Sequence, residues 1–135
     1  MEAKDLLQHY DDCVRRERRL KSEILWERDT IKSLDLISRQ MTRQMKDKLT
    51  NIEKKIRIYE EELVKVSDER QKIHDLITEI PGLEGEVLTR RYIDGQIWED
   101  ICESMFYSWS YIHRLHKRAL QMFQDRLDQE DAFDS

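Results

Sequence analysis

The chain has 135 residues, of which 39% are charged and 39% hydrophobic, and its formal net charge is −5. Three Gly and one Pro are too few to turn the corners of hairpins and sandwiches, which argues against a β-rich fold. There is no apolar run of about 18 residues, so no membrane span is expected, and the opening Met1-Glu2-Ala3-Lys4-Asp5 does not read as a signal peptide.

In chain order, the first eighty residues contain no Gly and no Pro. Apolar positions recur in steps of three and four at Leu6, Tyr10, Cys13, Leu20, Ile24, Ile31 and Leu34, with Glu17 and Glu27 as gaps. The rhythm resumes at Met45 and runs through Leu49, Ile52, Ile56, Tyr59, Leu63, Val66, Ile73 and Ile77, interrupted by Arg70. A narrow stripe with charges at nearly every other position predicts coiled-coil packing. Between Leu34 and Met45 the phase slips by a four-residue insertion. The window 38–50 is polar, and Thr50-Asn51-Ile52-Glu53 has capping-box form. Two long helices with a break near 38–50, a hairpin, are therefore expected; the alternative is one helix of about 115 Å. The stripe from Leu49 to Ile77 is expected to help join two copies into a homodimer.

Pro81, Gly82, Gly85 and Gly95 all fall just after this arm, and the pattern changes there to short helices. Leu83 to Tyr92 is one, Trp98 to Met105 a second, and Trp109 to Phe123 a third, with Ile112, Leu115, Ala119, Leu120 and Phe123 as its buried stripe. Phe106-Tyr107-Ser108 forms the turn between the last two, and Ser108 is placed to cap the helix that follows. This is the helix-turn-helix layout. The expected fold is all-α: an arm over 1–80, a helix-turn-helix head over 81–124 and a flexible acidic tail over 125–135. Residues 1–79 carry 18 basic and 18 acidic side chains. Between 92 and 124 the basic side chains are Arg114, Lys117 and Arg118, beside His113 and His116. An acidic whole argues against indiscriminate nucleic-acid binding, but leaves room for a local basic face. Cys13 and Cys102 are expected to be reduced thiols in a cytoplasmic protein.

The segment Pro81-Gly82-Leu83-Glu84-Gly85-Glu86-Val87-Leu88-Thr89-Arg90-Arg91-Tyr92, followed by Trp98-Glu99-Asp100-Ile101-Cys102, resembles region 4 of bacterial sigma-70-type factors. So does Ser108-Trp109-Ser110-Tyr111-Ile112-His113-Arg114-Leu115-His116-Lys117-Arg118-Ala119-Leu120. With the helical arm, the chain is similar to small phage and prophage regulators of Gram-positive bacteria, of the ArpU and RinA late-gene types. The resemblance covers a third of the chain and implies a transcription regulator in the host bacterial cytoplasm, bound to promoter DNA and in contact with RNA polymerase. Nothing resembles sigma region 2, so a promoter-melting sigma factor is excluded.

By the same resemblance Trp109, Ser110, His113, Arg114 and Lys117 would face the major groove, with Trp109, Ser110 and Arg114 at base-reading positions. Lys117, Arg118 and His113 suit phosphates, and Arg90 and Arg91 would clamp the flanking backbone. Phe106 departs from the family, which usually has Gly in that turn. Exposed aromatics at Phe106, Tyr107, Trp109 and Tyr111 support a second reading: a helical adaptor or inhibitor that binds RNA polymerase or another protein without reading DNA. No catalytic motif, cofactor loop or metal-ligand set is expected: His113 and His116 lie three apart on one helix without further ligands, and both read as groove-facing or surface residues.

Overall fold

The structure, a computed structural model, describes residues 2–37 and 42–134. The described residues form five helices and no strand: α1 (Ala3–Ile37), α2 (Arg43–Thr78), α3 (Gly82–Leu88), α4 (Trp98–Met105) and α5 (Trp109–Asp134). The fold is all-α, as the scarcity of turn residues requires. The chain divides into two compact units, Cys13–Glu69, and Met1–Asp12 together with Arg70–Ser135.

The first unit is an antiparallel helical hairpin. Cys13 and Leu20 of α1 pack with Val66, Tyr59 and Leu63 of α2, while Ile24, Ile31 and Leu34 pack with Ile52 and Ile56. Part of the expected break, residues 38–41, lies outside the described residues. Thr42 caps α2: its Oγ1 accepts the Met45 N–H at 3.3 Å. Thr50, expected to open a helix, instead lies inside α2, and its hydroxyl donates to the Lys46 carbonyl at 3.0 Å. A hydroxyl can satisfy itself on the preceding turn, so a capping-box sequence alone does not start a helix.

The gap at Glu27 also has a partner. Glu27 is buried in the seam and meets the Lys55 ammonium at 3.2 Å. The hydrogen bond and charge of Glu27 raise the Lys55 pKa above its ordinary value. Burying a carboxylate is tolerable only with such a partner.

Two sequence expectations change here. The stripe expected to face a second copy is largely used within one chain. Ile52, Ile56 and Val66 are buried in the hairpin, Tyr59 and Leu63 pack against it, Leu49 is half-buried, and Ile73 and Ile77 are buried in the other unit. Folding back lets α1 cover the apolar side of α2, which removes the need for a partner there. The expected flexible tail is likewise helical, because α5 continues to Asp134. The cause is a stripe that does not stop at Phe123: Leu127, one turn on, is buried too.

The second unit extends past the expected boundary at Pro81. It takes in the start of α1, where Ala3, Leu7 and Tyr10 are buried, and the end of α2. The Ala3 N–H donates to Gln124 Oε1 at 2.7 Å, and Arg126 pairs with Glu79 at 2.7 Å. The core of the head is Val87, Ile101, Met105, Ile112 and Leu115, with Leu83, Trp98, Cys102 and Tyr111 packed around it. α3 ends at Leu88 and passes into a π turn over Thr89–Ile93, where the Asp94 N–H reaches back to the Thr89 carbonyl at 2.9 Å.

Gly85 sets how closely α3 approaches the chain that leads into it. A Cβ at this position would overlap the carbonyl oxygen of Ile80, a backbone atom that cannot swing aside. Gly85→Ala is expected to destabilise the protein by about 3 kcal/mol, the upper range for overpacking. Gly95→Ala meets no neighbour but keeps a φ of +70°, so it should cost about 1 kcal/mol. Urea denaturation midpoints of the two variants check the order; equal midpoints would show that the close approach at Gly85 relaxes freely.

Candidate nucleic-acid interface

α4, a short turn and α5 follow one another as a helix-turn-helix. α4 closes through a left-handed residue: the Tyr107 N–H reaches the Cys102 carbonyl at 3.2 Å across Phe106, whose φ is 59°. This is the C-terminal cap where glycine is usual. A Phe there carries a penalty of about 1 kcal/mol. α5 then starts as the sequence indicates, with Ser108 Oγ accepting the Tyr111 N–H at 3.2 Å.

The inner side of α5 is closed. Ile112, Leu115, Ala119 and Phe123 are each at most 1% exposed, which fixes the rotation of the helix about its axis. At 100° per residue, Ser110, Arg114 and Lys117 must then point the other way, and all three are exposed. From Ser104 to Gln124 the sequence holds three basic side chains and no acid. A basic, acid-free outer row on a helix whose other side is anchored can meet a polyanion without first repacking.

The other candidates are placed differently. Arg118 is exposed but sits 3.6 Å from Glu84, a surface pair that phosphate could replace. Arg90 is held by Glu86, with its Nε and Nη2 donating to Oε1 at 3.1 and 3.0 Å. Arg91 lies over the Trp98 ring at 4.7 Å and donates to the Gln96 carbonyl at 3.1 Å. Arg91 therefore braces the loop before α4, in place of the backbone clamp expected of it. His113 is corrected too: its ring lies 4.8 Å from Trp98 and 4.4 Å from Trp109, with its Nε2 buried and unpartnered. The helical repeat turns it toward α4, so it supports Trp109 instead of reaching phosphate.

His116 was read as a surface residue, and it is half-buried. Its Nε2 and the Tyr92 hydroxyl share a hydrogen bond of 2.8 Å, and its ring forms an edge-to-face pair with Trp98 at 4.6 Å. Burial is the main cause that lowers its pKa to about 4, with His113, Arg91 and Lys4 adding repulsion. Burial pushes the Tyr92 pKa up, against the pull of Arg91. Tyr92, Trp98 and His116 thus form a polar-aromatic brace between the π turn, α4 and α5. The sequence marked Tyr92 and Trp98 only as apolar positions; the i, i+3 spacing of His113 and His116 was the available hint of a shared aromatic contact.

Trp109 is 52% exposed and Phe106 91% exposed, while the tilted rings of Tyr107 and Tyr111 meet at 4.7 Å and Arg114 lies over Tyr111 at 5.6 Å. The aromatic patch and the basic row are therefore contiguous. No family model matches the chain, and no curated protein or solved structure matches it.

The brace gives the head an acid sensitivity. His116 binds a proton less readily folded (about 4) than its ordinary 6.5, so the unfolded chain takes up the extra proton. Its stabilising contribution is complete above about pH 6.5 and is lost as pH falls toward 4. Discounted for a half-exposed ring, the loss is about 1 kcal/mol. Thermal melts between pH 7 and pH 4.5 should show a steeper decline for the parent than for His116→Gln. Parallel declines would remove His116 as the cause.

Proposed function

We propose that the chain is a sequence-specific DNA-binding transcription regulator that lays the start of α5 in the major groove. The observation that carries this reading is the outward row Ser110, Arg114 and Lys117 on a helix fixed by its buried stripe, in a stretch without acids. Arg114 offers the bidentate fork that reads guanine, and Ser110 can donate or accept at a base edge. Lys117, with Arg118 once released from Glu84, binds phosphate and sets register. The resemblance to sigma region 4 supports assigning the activity to a phage or prophage late-gene regulator in the bacterial cytoplasm. It also supports RNA polymerase as a protein partner.

Genome-wide mapping of DNA bound by the tagged protein supplies the site, and titrations on that duplex then test the roles. Affinity should fall steeply with salt. Arg114→Ala is expected to relax discrimination at one base pair by about 1–3 kcal/mol. Lys117→Ala should weaken all duplexes alike and lower the salt slope by about one unit. Equal, weak binding to every duplex by the parent would overturn the sequence-reading role.

For the homodimer, the candidate contacts are exposed apolar side chains of the hairpin outside the coiled-coil stripe. Leu25, Trp26, Ile58 and Val64 are large apolar side chains of the hairpin, each at least 60% exposed. A second copy is their proposed occupant, and two copies would suit paired half-sites. Sedimentation at micromolar concentration should give twice the mass of one chain, and Trp26→Glu should halve it. A parent that sediments as one chain would exclude the dimer.

A further inference from the structure

Phe106 is the least economical residue in the head. It is 91% exposed, so its ring gains nothing from burial, and it takes the left-handed conformation that suits glycine. Strained, exposed residues are where a fold gives up stability for a task. The surroundings narrow the task. Trp109 lies beside the turn with half its surface open, and Tyr107 packs at a tilt against Tyr111, whose ring lies under the Arg114 guanidinium. Glu103 is the last acid before this patch, and the next is Asp125.

We infer that the Phe106 turn is an apolar wedge that stacks on DNA bases, so that the favoured target is a duplex containing an unstacked base or an easily opened step. The inference rests on the DNA-binding reading above and adds the class of DNA. Three considerations support a base as the occupant. Aromatic rings interleaved with arginine bind base faces of any sequence. Wedges of Phe or Leu enter base steps and unstack them in proteins that kink DNA. Charge complementarity favours a polyanion, because basic side chains border the patch along α5 and no acid follows it for about four turns of helix. The turn also immediately precedes Ser110 and Arg114, so a helix that reads base edges carries Phe106 to the end of the same site.

The experiment compares the full chain on a fluorescent duplex and on the same duplex with a short bulge carrying 2-aminopurine. The parent should bind the bulged duplex about tenfold more tightly, in the range that one stacked base supplies, and should quench the 2-aminopurine. Phe106→Gly keeps the turn, since glycine accepts its φ, and its melting temperature should not fall. That variant should lose the preference and the quenching while keeping its affinity for the paired duplex within about twofold. Arg114→Ala should weaken both duplexes and leave their ratio intact. Equal binding of the two duplexes by the parent would overturn the wedge and leave DNA binding standing. A preference that survives Phe106→Gly would overturn it by assigning the unstacked base to another side chain. Failure of the parent to bind either duplex would overturn the wedge together with the reading it rests on.

Discussion

The head depends on the rotational phase of α5. Ile112, Leu115, Ala119 and Phe123 fall on one line down the helix, and none is more than 1% exposed. Each of those side chains is worth roughly 1–3 kcal/mol on burial, so together they outweigh anything the exposed side can add. A slip of one residue would turn the helix by about 100° and would drive Arg114 toward the core. α3 and α4 both pack on this stripe, and the close approach permitted by Gly85 brings α3 down at the required depth. The outward row of Ser110, Arg114 and Lys117 is therefore set first by core packing, and the polar contacts only refine it.

Polar groups do the finer positioning. An all-apolar contact between the π turn, α4 and α5 would hold the three together but would leave their relative rotation loosely defined. The Tyr92–His116 hydrogen bond and the Trp98 ring, with Arg91 over it, His113 tilted against it and His116 meeting it edge to face, are directional. They restrict α5 to one setting at the cost of sensitivity to acid. In the hairpin, Glu27 and Lys55 act in a comparable way. A buried ion pair adds little net stability against a well-packed apolar pair. It does penalise any register in which Glu27 lies in the seam without Lys55.

The helices were legible because the signals are local. The three-four spacing from Tyr10 to Ile77 located the seam and Ser108 located the start of α5, whereas most of the polar window 38–50 proves to be the first turns of α2. Partner choice was less legible. A heptad stripe meets a helix of its own chain or of another equally well, and only the direction of α1 against α2 decides between them. The tail was misread because composition outweighed pattern: five acids in 125–135 suggested disorder, while Leu127 continued the stripe of Phe123. At the site, Ser110, Arg114 and Lys117 followed from helical phase. The roles of Arg91, His113 and His116 did not, because they depend on Trp98 and Tyr92 reaching them across a π turn that the spacing of apolar residues does not signal.

Phe106 raises a question of stability against purpose. The turn needs a left-handed residue between Cys102 and Tyr107, because the capping bond spans it. Glycine would meet that need with about 1 kcal/mol less strain, and asparagine with less strain than an aromatic residue. A marginally stable domain has only about 5–15 kcal/mol in total, so the penalty is not negligible. An exposed ring also raises the risk of association, which selection for solubility alone would oppose. Burial cannot explain the residue, since 91% of its surface is open in the folded chain. The proposed source of compensation is a contact made outside the chain, and the acid-free first turns of α5, which start three residues later, favour a polyanion with flat, apolar faces.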